Sequence, residues 1–449
     1  MKLVLIYPPF CTPTVMPYSI SYLKNFVENN LDIKVKCIDI NAKFNRMRFS
    51  ESYKELHKHK DIDSYGAFLE QFDNVSMPVY AENHQKILRK ENPDLLKEML
   101  DIIIKEKPDY VAFSFVYNSQ CFYGAVLIDE LKKKGIECIA GGPAVNSKIT
   151  SKCLCLNNEV ELVEFLAKKL GQKIDMKSMD CKTVPDFSDY EDKDYLVKEI
   201  IIPVRSSTTC YYKQCTFCTH YVKTHYFEFD IELIKKTIKN SKQKYFFFID
   251  DMISRKRLLE IAKAVKPLKI KWWCQLRPTK DLLGCLKELA DAGLKCISWG
   301  IESGSQRIID KIKKGTDVKM IPKILQESHD AGIKNVAYII FGFPSETKEE
   351  FVETIDFLKD NSKNIELVSS TIFGLKEGSY VYDHPDEFGL YDVVKHPRTM
   401  LDDNITYKVK SGMTQDDAKE MKRNYRKTLR KLTKLPKSFN HFKEQIILF

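Results

Sequence analysis

"EIIIPVRSSTTCYYKQCTFCTHY", residues 199–221, decides how this chain is read. The apolar run Ile200–Val204 predicts a buried strand. A loop carrying Cys210, Cys215 and Cys218 follows at once, and its C-x4-C-x2-C spacing fits neither a strand nor a helix period. Three thiols do not close a tetrahedral shell, so three readings compete. Zinc would recruit His220 or His225 as a fourth ligand. A plant-type two-iron ferredoxin would use a more distant fourth cysteine. A four-iron cluster on three thiolates would leave one iron open to a small molecule.

Working outward, strand-like runs recur at "KYFFFID", "IKWWCQLRP", "KCISWGIES", "NVAYIIFGFP" and "IELVSSTIFGL", each separated from the next by an amphipathic helical pattern. Together with the first strand they make six β/α repeats over residues 199–390. That number predicts an open, partial (β/α)6 barrel, two repeats short of a closed one. Functional residues of such folds sit at the C-terminal ends of strands, where the three cysteines fall. The next cysteine, Cys274, lies inside a strand pattern and offers a ferredoxin nothing. A zinc knuckle has no need of a six-fold barrel. An open iron site does, because loops from several strands must grip its ligand.

Residues 1–175 read as a separate α/β unit with a Rossmann-like parallel sheet. Its strands are "KLVLIYP", "IKVKCIDI", "DYVAFSFV" and "ECIAGGP". A polar, helical insert at about 41–107 is too long for a plain loop. Residues 176–198 turn acidic and lose periodicity, as a linker does. Residues 391–449 are expected to be basic and mainly helical.

With 43% hydrophobic and 30% charged residues, this is an ordinary globular composition. No apolar run is long enough for a membrane span. "MKLVLIYPPF" reads as a first strand and not as a signal peptide. Thirteen scattered cysteines fit a reducing cytoplasm, where clustered thiols bind metal more often than they pair.

The motifs taken together resemble the radical S-adenosylmethionine (SAM) enzymes: the cysteine loop, "FFFIDD", "GIESGSQRIIDKIKKGT" and "IIFGFPSETKEEF" occur in the expected order. "YPPF…YSISYL", "VAFSF", "GGPAV" and "VPDFSDY" are similar to the branch with an N-terminal cobalamin-binding-type domain. The resemblance implies a four-iron four-sulfur cluster on Cys210, Cys215 and Cys218, with SAM chelating the open iron. Reductive cleavage of SAM would give a 5′-deoxyadenosyl radical that attacks a substrate C–H bond. It further implies Phe217 beside the adenine and Asp250–Asp251 near the methionine amino group. Glu302 and Ser303 would contact ribose and carboxylate, and Gly342 and Pro344 would lie near adenine. Arg277 would meet the SAM carboxylate or the substrate. An external electron donor such as flavodoxin or ferredoxin is implied as well. Each side chain also has a plain structural reading: Glu302, Asp250 and Asp251 could cap the helices that follow, and Arg277 could be a surface partner. The chain departs from the commonest pattern in two ways. Its first cysteine spacing is one residue longer, although "CYYKQCTFC" resembles a "CYWxKCxFC" variant, and "TT" replaces an arginine–glycine pair.

Whether cobalamin is bound stays open between two readings. Gly141, Gly142 and Pro143 form the kind of turn that lets a corrinoid approach backbone. The branch's Gly-Glu-Gly-Glu turn is "CLCLNNEVELVEFL" here, and no D-x-H-x-x-G supplies a histidine. Three function classes follow: cobalamin-dependent C-methylation; cobalamin-free radical chemistry such as crosslinking, epimerisation or rearrangement, with a small molecule or peptide as substrate; and a non-catalytic iron–sulfur or zinc protein. The net charge of +10 sits mainly in the tail, where Lys408–Phe449 holds twelve Lys/Arg against four Asp/Glu. That tail is either a solvated amphipathic helix, with Met421, Tyr425, Leu429 and Leu432 on one face, or a cover over the barrel opening that steers an anionic substrate. Nucleic acid is disfavoured, since the rest of the chain is nearly charge-balanced, and a membrane is disfavoured by the lack of a long apolar run.

Overall fold

A computed structural model describes residues 1–174, 179–180, 182–222 and 224–449. Residues 175–178, at the junction of the N-terminal unit and the expected linker, with Cys181 and Lys223, lie outside the described residues. The fold is α/β, built on two parallel sheets. The first has strands β1 (Lys2–Tyr7), β2 (Lys34–Asp39), β3 (Tyr110–Ser114), β4 (Glu137–Gly141) and β5 (Leu154–Leu156), in the order β2-β1-β3-β4-β5. β5 is too short, at three residues, to show a period in sequence. The strand order reverses between β1 and β3, so the ligand-binding crevice of such a sheet lies beyond their C-terminal ends.

The second sheet holds β6 (Ile201–Val204), β7 (Tyr245–Phe248), β8 (Lys271–Leu276), β9 (Leu294–Glu302), β10 (Lys334–Phe341) and β11 (Leu367–Ile372) in sequential order. It is the open six-stranded barrel expected from the repeats. Its outer face is sealed by helices; Trp272, for example, donates its indole N–H to the Ala292 carbonyl at 3.0 Å. The inner face is only partly filled. Phe247, Gln275, Gly300, Tyr338, Ile340 and Ser369 are half-buried, although they sit mid-sheet or at strand ends among fully buried neighbours. This alternation marks a lumen running from the floor of the barrel towards the cysteine loop.

The chain beyond β11 closes what the barrel leaves open. The hairpin β12 (Leu390–His396) and β13 (Asn404–Val409) stands where mainly helical structure was expected. Leu390 and Ile405 pack with Phe343 and Phe373 at the barrel mouth. The Met400 carbonyl at the hairpin tip accepts a hydrogen bond from Asn146, just past the Gly141–Pro143 turn, at 3.1 Å. The basic helical segment is broken into Gln415–Asn424 and Arg426–Lys431. It runs along the free edge of β11, not over the opening: Lys422 donates to the Ser370 carbonyl at 2.6 Å, and the backbone N–H groups of Lys434 and Leu435 donate to that of Glu366 at 2.9 and 3.0 Å. Met421, Tyr425, Leu429 and Leu432 face the core, while Arg426, Lys427, Arg430 and Lys431 stay exposed.

The final turn, Lys443–Leu448, packs against β7, β8 and β9, with the Lys443 ammonium 4.9 Å from the centre of the Tyr338 ring. It floors the lumen. The insert explains how the tail gets there. Its long helix, Ile62–Leu88, presents Tyr65 and Phe72 to Phe439 and Phe442. At Gly66 a β-carbon would fall 2.2 Å from the Pro436 ring.

Helix propensity alone makes Gly66→Ala stabilising by about 1 kcal/mol, but a rigid proline ring cannot yield, and overpacking costs about 1–3 kcal/mol. The variant is expected to unfold at a lower denaturant midpoint than the wild type. In a Pro436→Gly background, which removes both ring carbons that crowd the site, the same change should lose most of that cost, which a double-mutant cycle measures.

Candidate active site

The cysteine loop is held from below and from the side. Below it lies Asp250, buried just past the end of β7. Ser206 donates its backbone N–H to the Asp250 carboxylate oxygens at 3.1 and 2.9 Å and its hydroxyl at 2.9 Å, and Ser207 adds its hydroxyl at 2.7 Å. Burial raises the Asp250 carboxyl above its ordinary value, and these donors pull it back. At the side, the turn after the helix Gln306–Ile312 grips the loop. Thr216 donates its N–H to the Ile312 carbonyl at 2.9 Å and its hydroxyl to that of Lys311 at 3.2 Å. The Tyr212 hydroxyl donates to the Lys313 carbonyl at 2.9 Å. Arg277, one residue past β8, donates to the Lys314 carbonyl at 2.8 Å, with its guanidinium carbon 3.4 Å from the centre of the Tyr212 ring. This stack is a cation–π contact between the third-strand arginine and the cysteine loop itself.

The three thiols lie in one another's electrostatic field. Burial pushes the Cys218 thiol up to about 11, with Cys215 and Cys210 adding to the rise. Burial likewise raises Cys215, which Lys314 and Arg277 oppose. Holding Cys215 and Cys218 as thiolates would therefore need a cation beside them, with Lys314 and Arg277 already offsetting part of the charge at Cys215. Such a donor set, gathered by one loop and flanked by fixed cations, fits a cluster ligated by three cysteines. His220 is turned elsewhere, its Nδ1 2.7 Å from Asp251 Oδ1, and that contact raises its pKa. His225 is exposed.

A feature that the sequence reading missed sits beside Cys215. Lys314 and Glu302 form a buried ion pair at 2.6 Å, with side chains 11% and 8% exposed. A register shift between β9 and β10 at Tyr338/Ile339 brings Glu302 into place, and Glu302 holds a left-handed backbone, φ 67°. A non-glycine residue in that region costs about 1–3 kcal/mol, and such strain collects at functional sites. Gly300 makes the pair possible: a β-carbon there would lie 2.7 Å from Lys314 Nζ and 2.8 Å from Glu302 Oε1. Burial works against the Lys314 ammonium, yet Glu302 and Cys215 hold its pKa above the ordinary value. Lys314 Nζ also stands 5.8 Å from the Phe217 ring centre. "KKGT" after the "GIESGS" helix was the available signal, but nothing in it fixes which lysine turns inward.

The structure thus places Cys210, Cys215, Cys218 and Phe217 on one loop flanked by Arg277 and Glu302, with Asp251 at the rim; among the described residues no three His, Cys, Asp or Glu side chains form a site for a single metal ion. Other expected contacts are engaged in the barrel wall. Ser303 is 3.1 Å from the Thr354 hydroxyl, and Gly342 lies under Ala418 of the tail, where a β-carbon would fall 2.6 Å away. Pro344 is buried next to it. Neither Asp250 nor Asp251 caps the following helix; Ser254 does.

On the N-terminal sheet, Gly142 and Pro143 are exposed past β4, and Tyr117, 52% exposed, follows β3 at the switch point. Gly142 has φ 110°, and a β-carbon would strike the Phe115 carbonyl at 2.3 Å, so sheet packing already demands this glycine. The exposed turn and Tyr117 nevertheless form an open ledge where a planar ring could rest on bare backbone. In the Asn157–Glu161 turn, Asn158 caps the helix Glu159–Leu170 and Glu161 accepts from Asn157.

Comparison with known proteins defines the class: residues 204–358 match the radical SAM superfamily, so the barrel is a radical SAM domain. The particular likenesses follow. An uncharacterized methyltransferase of Pyrococcus horikoshii is 31% identical over 116 residues, 25% of each chain. Bacteriochlorophyllide d C-12(1)-methyltransferase of Chlorobaculum tepidum is 27% identical over 45% of this chain and 47% of its own. The chain thus matches no more than about half the length of either relative. The radical SAM methyltransferase TsrM of Kitasatospora setae, solved with cobalamin and a [4Fe-4S] cluster bound, superposes with a TM-score of 0.63 over 96% of this chain and 88% of its own, at 12% identity. The two-domain fold is shared across essentially the whole chain. No described helix is long and apolar enough to cross a membrane.

Glu346, buried beside Gly342 and Pro344, gives a test of the barrel rim. Its Oε2 accepts the Gly342 N–H, Oε1 has no partner, and burial pushes its pKa up to about 8 from an ordinary 4.5. The folded state therefore keeps a proton that the unfolded chain has lost, and stability falls as pH rises through that window. Glu346→Gln should remove this slope. Denaturant midpoints at about pH 5 and about pH 8 should separate the two proteins by up to about 1.4 kcal/mol per pH unit.

Proposed function

We propose that the chain is a radical SAM enzyme that functionalises a substrate C–H bond, by cobalamin-dependent C-methylation. The observation carrying this reading is the placement of the three-cysteine loop. It lies at the C-terminal mouth of an open parallel barrel, clasped by Tyr212, Thr216 and Arg277, with the lumen beneath it. Cys210, Cys215 and Cys218 would hold a four-iron four-sulfur cluster. When bound, that cluster and SAM supply one-electron cleavage to a 5′-deoxyadenosyl radical.

The chain's own residues do the rest by binding and exclusion. Phe217 offers an aromatic face for adenine, and Glu302, fixed by Lys314, offers carboxylate oxygen to ribose hydroxyls. Arg277 keeps the loop in place through Tyr212. Asp251, exposed at the rim, is free to leave His220 for an ammonium group. The tail floors the lumen and keeps bulk water from one side of it. At the N-terminal sheet, Gly142, Pro143 and Tyr117 would receive the corrinoid. The methyltransferase activities of the relatives and the cobalamin in TsrM support this choice over cobalamin-free chemistry. The substrate is a small molecule or peptide, and the electron comes from an external donor of the flavodoxin or ferredoxin kind.

The test is anaerobic reconstitution of protein made with ample cobalamin. Wild type should carry about four irons per chain, show corrinoid absorption and form 5′-deoxyadenosine from SAM. Changing all three cysteines to Ala should abolish iron binding and 5′-deoxyadenosine, and a full cluster in that variant would overturn the assignment. A cluster that cleaves SAM in protein without corrinoid would replace methylation by cobalamin-free radical chemistry.

A further inference from the structure

We propose that the buried Lys314–Glu302 pair sets the reduction potential of the cluster, with Lys314 as an electrostatic positioning residue. The inference rests on the cluster assignment above and goes beyond it. Geometry carries it. The pair is buried, so solvent screens it little. Its orientation is fixed by the 2.6 Å contact, by the bulge at Glu302 and by the space that Gly300 leaves. The positive end reaches the cysteine loop: Lys314 Nζ stands 5.8 Å from the ring centre of Phe217, the residue between two of the thiols. The backbone that carries the lysine is immobilised on both sides, by Tyr212 on the Lys313 carbonyl and by Arg277 on its own.

An oriented ion pair beside a redox centre acts with the sign of its nearer end. Adding one electron makes the centre more negative, so the ammonium favours reduction and the carboxylate behind it opposes reduction. A pair kept only for stability would have no reason to present one end.

The predicted signs are opposite for the two partners. Reconstituted holoprotein is titrated anaerobically with redox mediators, and the reduced cluster is followed by electron paramagnetic resonance. Lys314→Met should lower the reduced-to-oxidised ratio at fixed potential about tenfold, which is a midpoint about 59 mV lower for a one-electron couple. Glu302→Gln should raise the midpoint, the double variant Lys314→Met/Glu302→Gln should fall between, and Lys314→Arg should restore the wild-type value. Iron content is measured on every sample. If Lys314→Met fails to hold iron, Glu302→Gln carries the test alone and must raise the midpoint. Full clusters with midpoints unchanged across the series, or shifted the same way by both single substitutions, would overturn the proposal and leave the cluster assignment standing. Absence of any cluster in the wild type would instead remove the assignment itself.

Discussion

An open six-stranded barrel cannot close on itself, and the rest of this structure answers to that constraint. β11 is left as a free edge with unpaired backbone groups, and the lumen is left without a floor. The tail takes up both: Lys422, Lys434 and Leu435 satisfy carbonyls of the edge strand, and Lys443–Leu448 fills the lower lumen. The insert in the N-terminal sheet holds the tail through Tyr65, Gly66 and Phe72. Above that floor Gln275, Gly300 and Ile340 remain only half-buried.

The same economy governs polar groups around the cysteine loop. Asp250 spends its carboxylate on Ser206 and Ser207 and so fixes where the loop leaves β6. Lys311, Ile312, Lys313 and Lys314 spend carbonyls on Thr216, Tyr212 and Arg277. The segment that ends the short helix after β9, Gln306–Ile312, thereby becomes the side wall of a loop a hundred residues earlier in the chain. A loop fixed in this way would present its thiols in one arrangement without help from a fourth ligand, as an iron site with an open position requires.

Much of this was legible in the sequence. Six strands announced themselves by apolar runs separated by helical periods, and the cysteine spacing marked the loop. β5 was not legible, since Leu154–Leu156 is too short to show a pattern. The hairpin of Leu390–His396 and Asn404–Val409 was missed because its strands are largely exposed, so no buried face writes itself into the residues. The Lys314–Glu302 pair depends on a register shift and on the bare backbone of Gly300, neither of which spacing encodes. Asp250 and Ser303 had the right residue types near the right strand ends, yet local hydrogen bonds to Ser206, Ser207 and Thr354 engage them in the barrel wall.

The central claim is that three cysteines leave one iron for SAM. Electron–nuclear double resonance on the reduced, reconstituted protein tests it most directly, using SAM labelled with nitrogen-15 in its amino group and carbon-13 in its carboxylate. The account predicts hyperfine coupling from both labels, present in wild type and lost when the three cysteines are replaced. A reduced four-iron cluster that shows no coupling to either label at saturating SAM would contradict it.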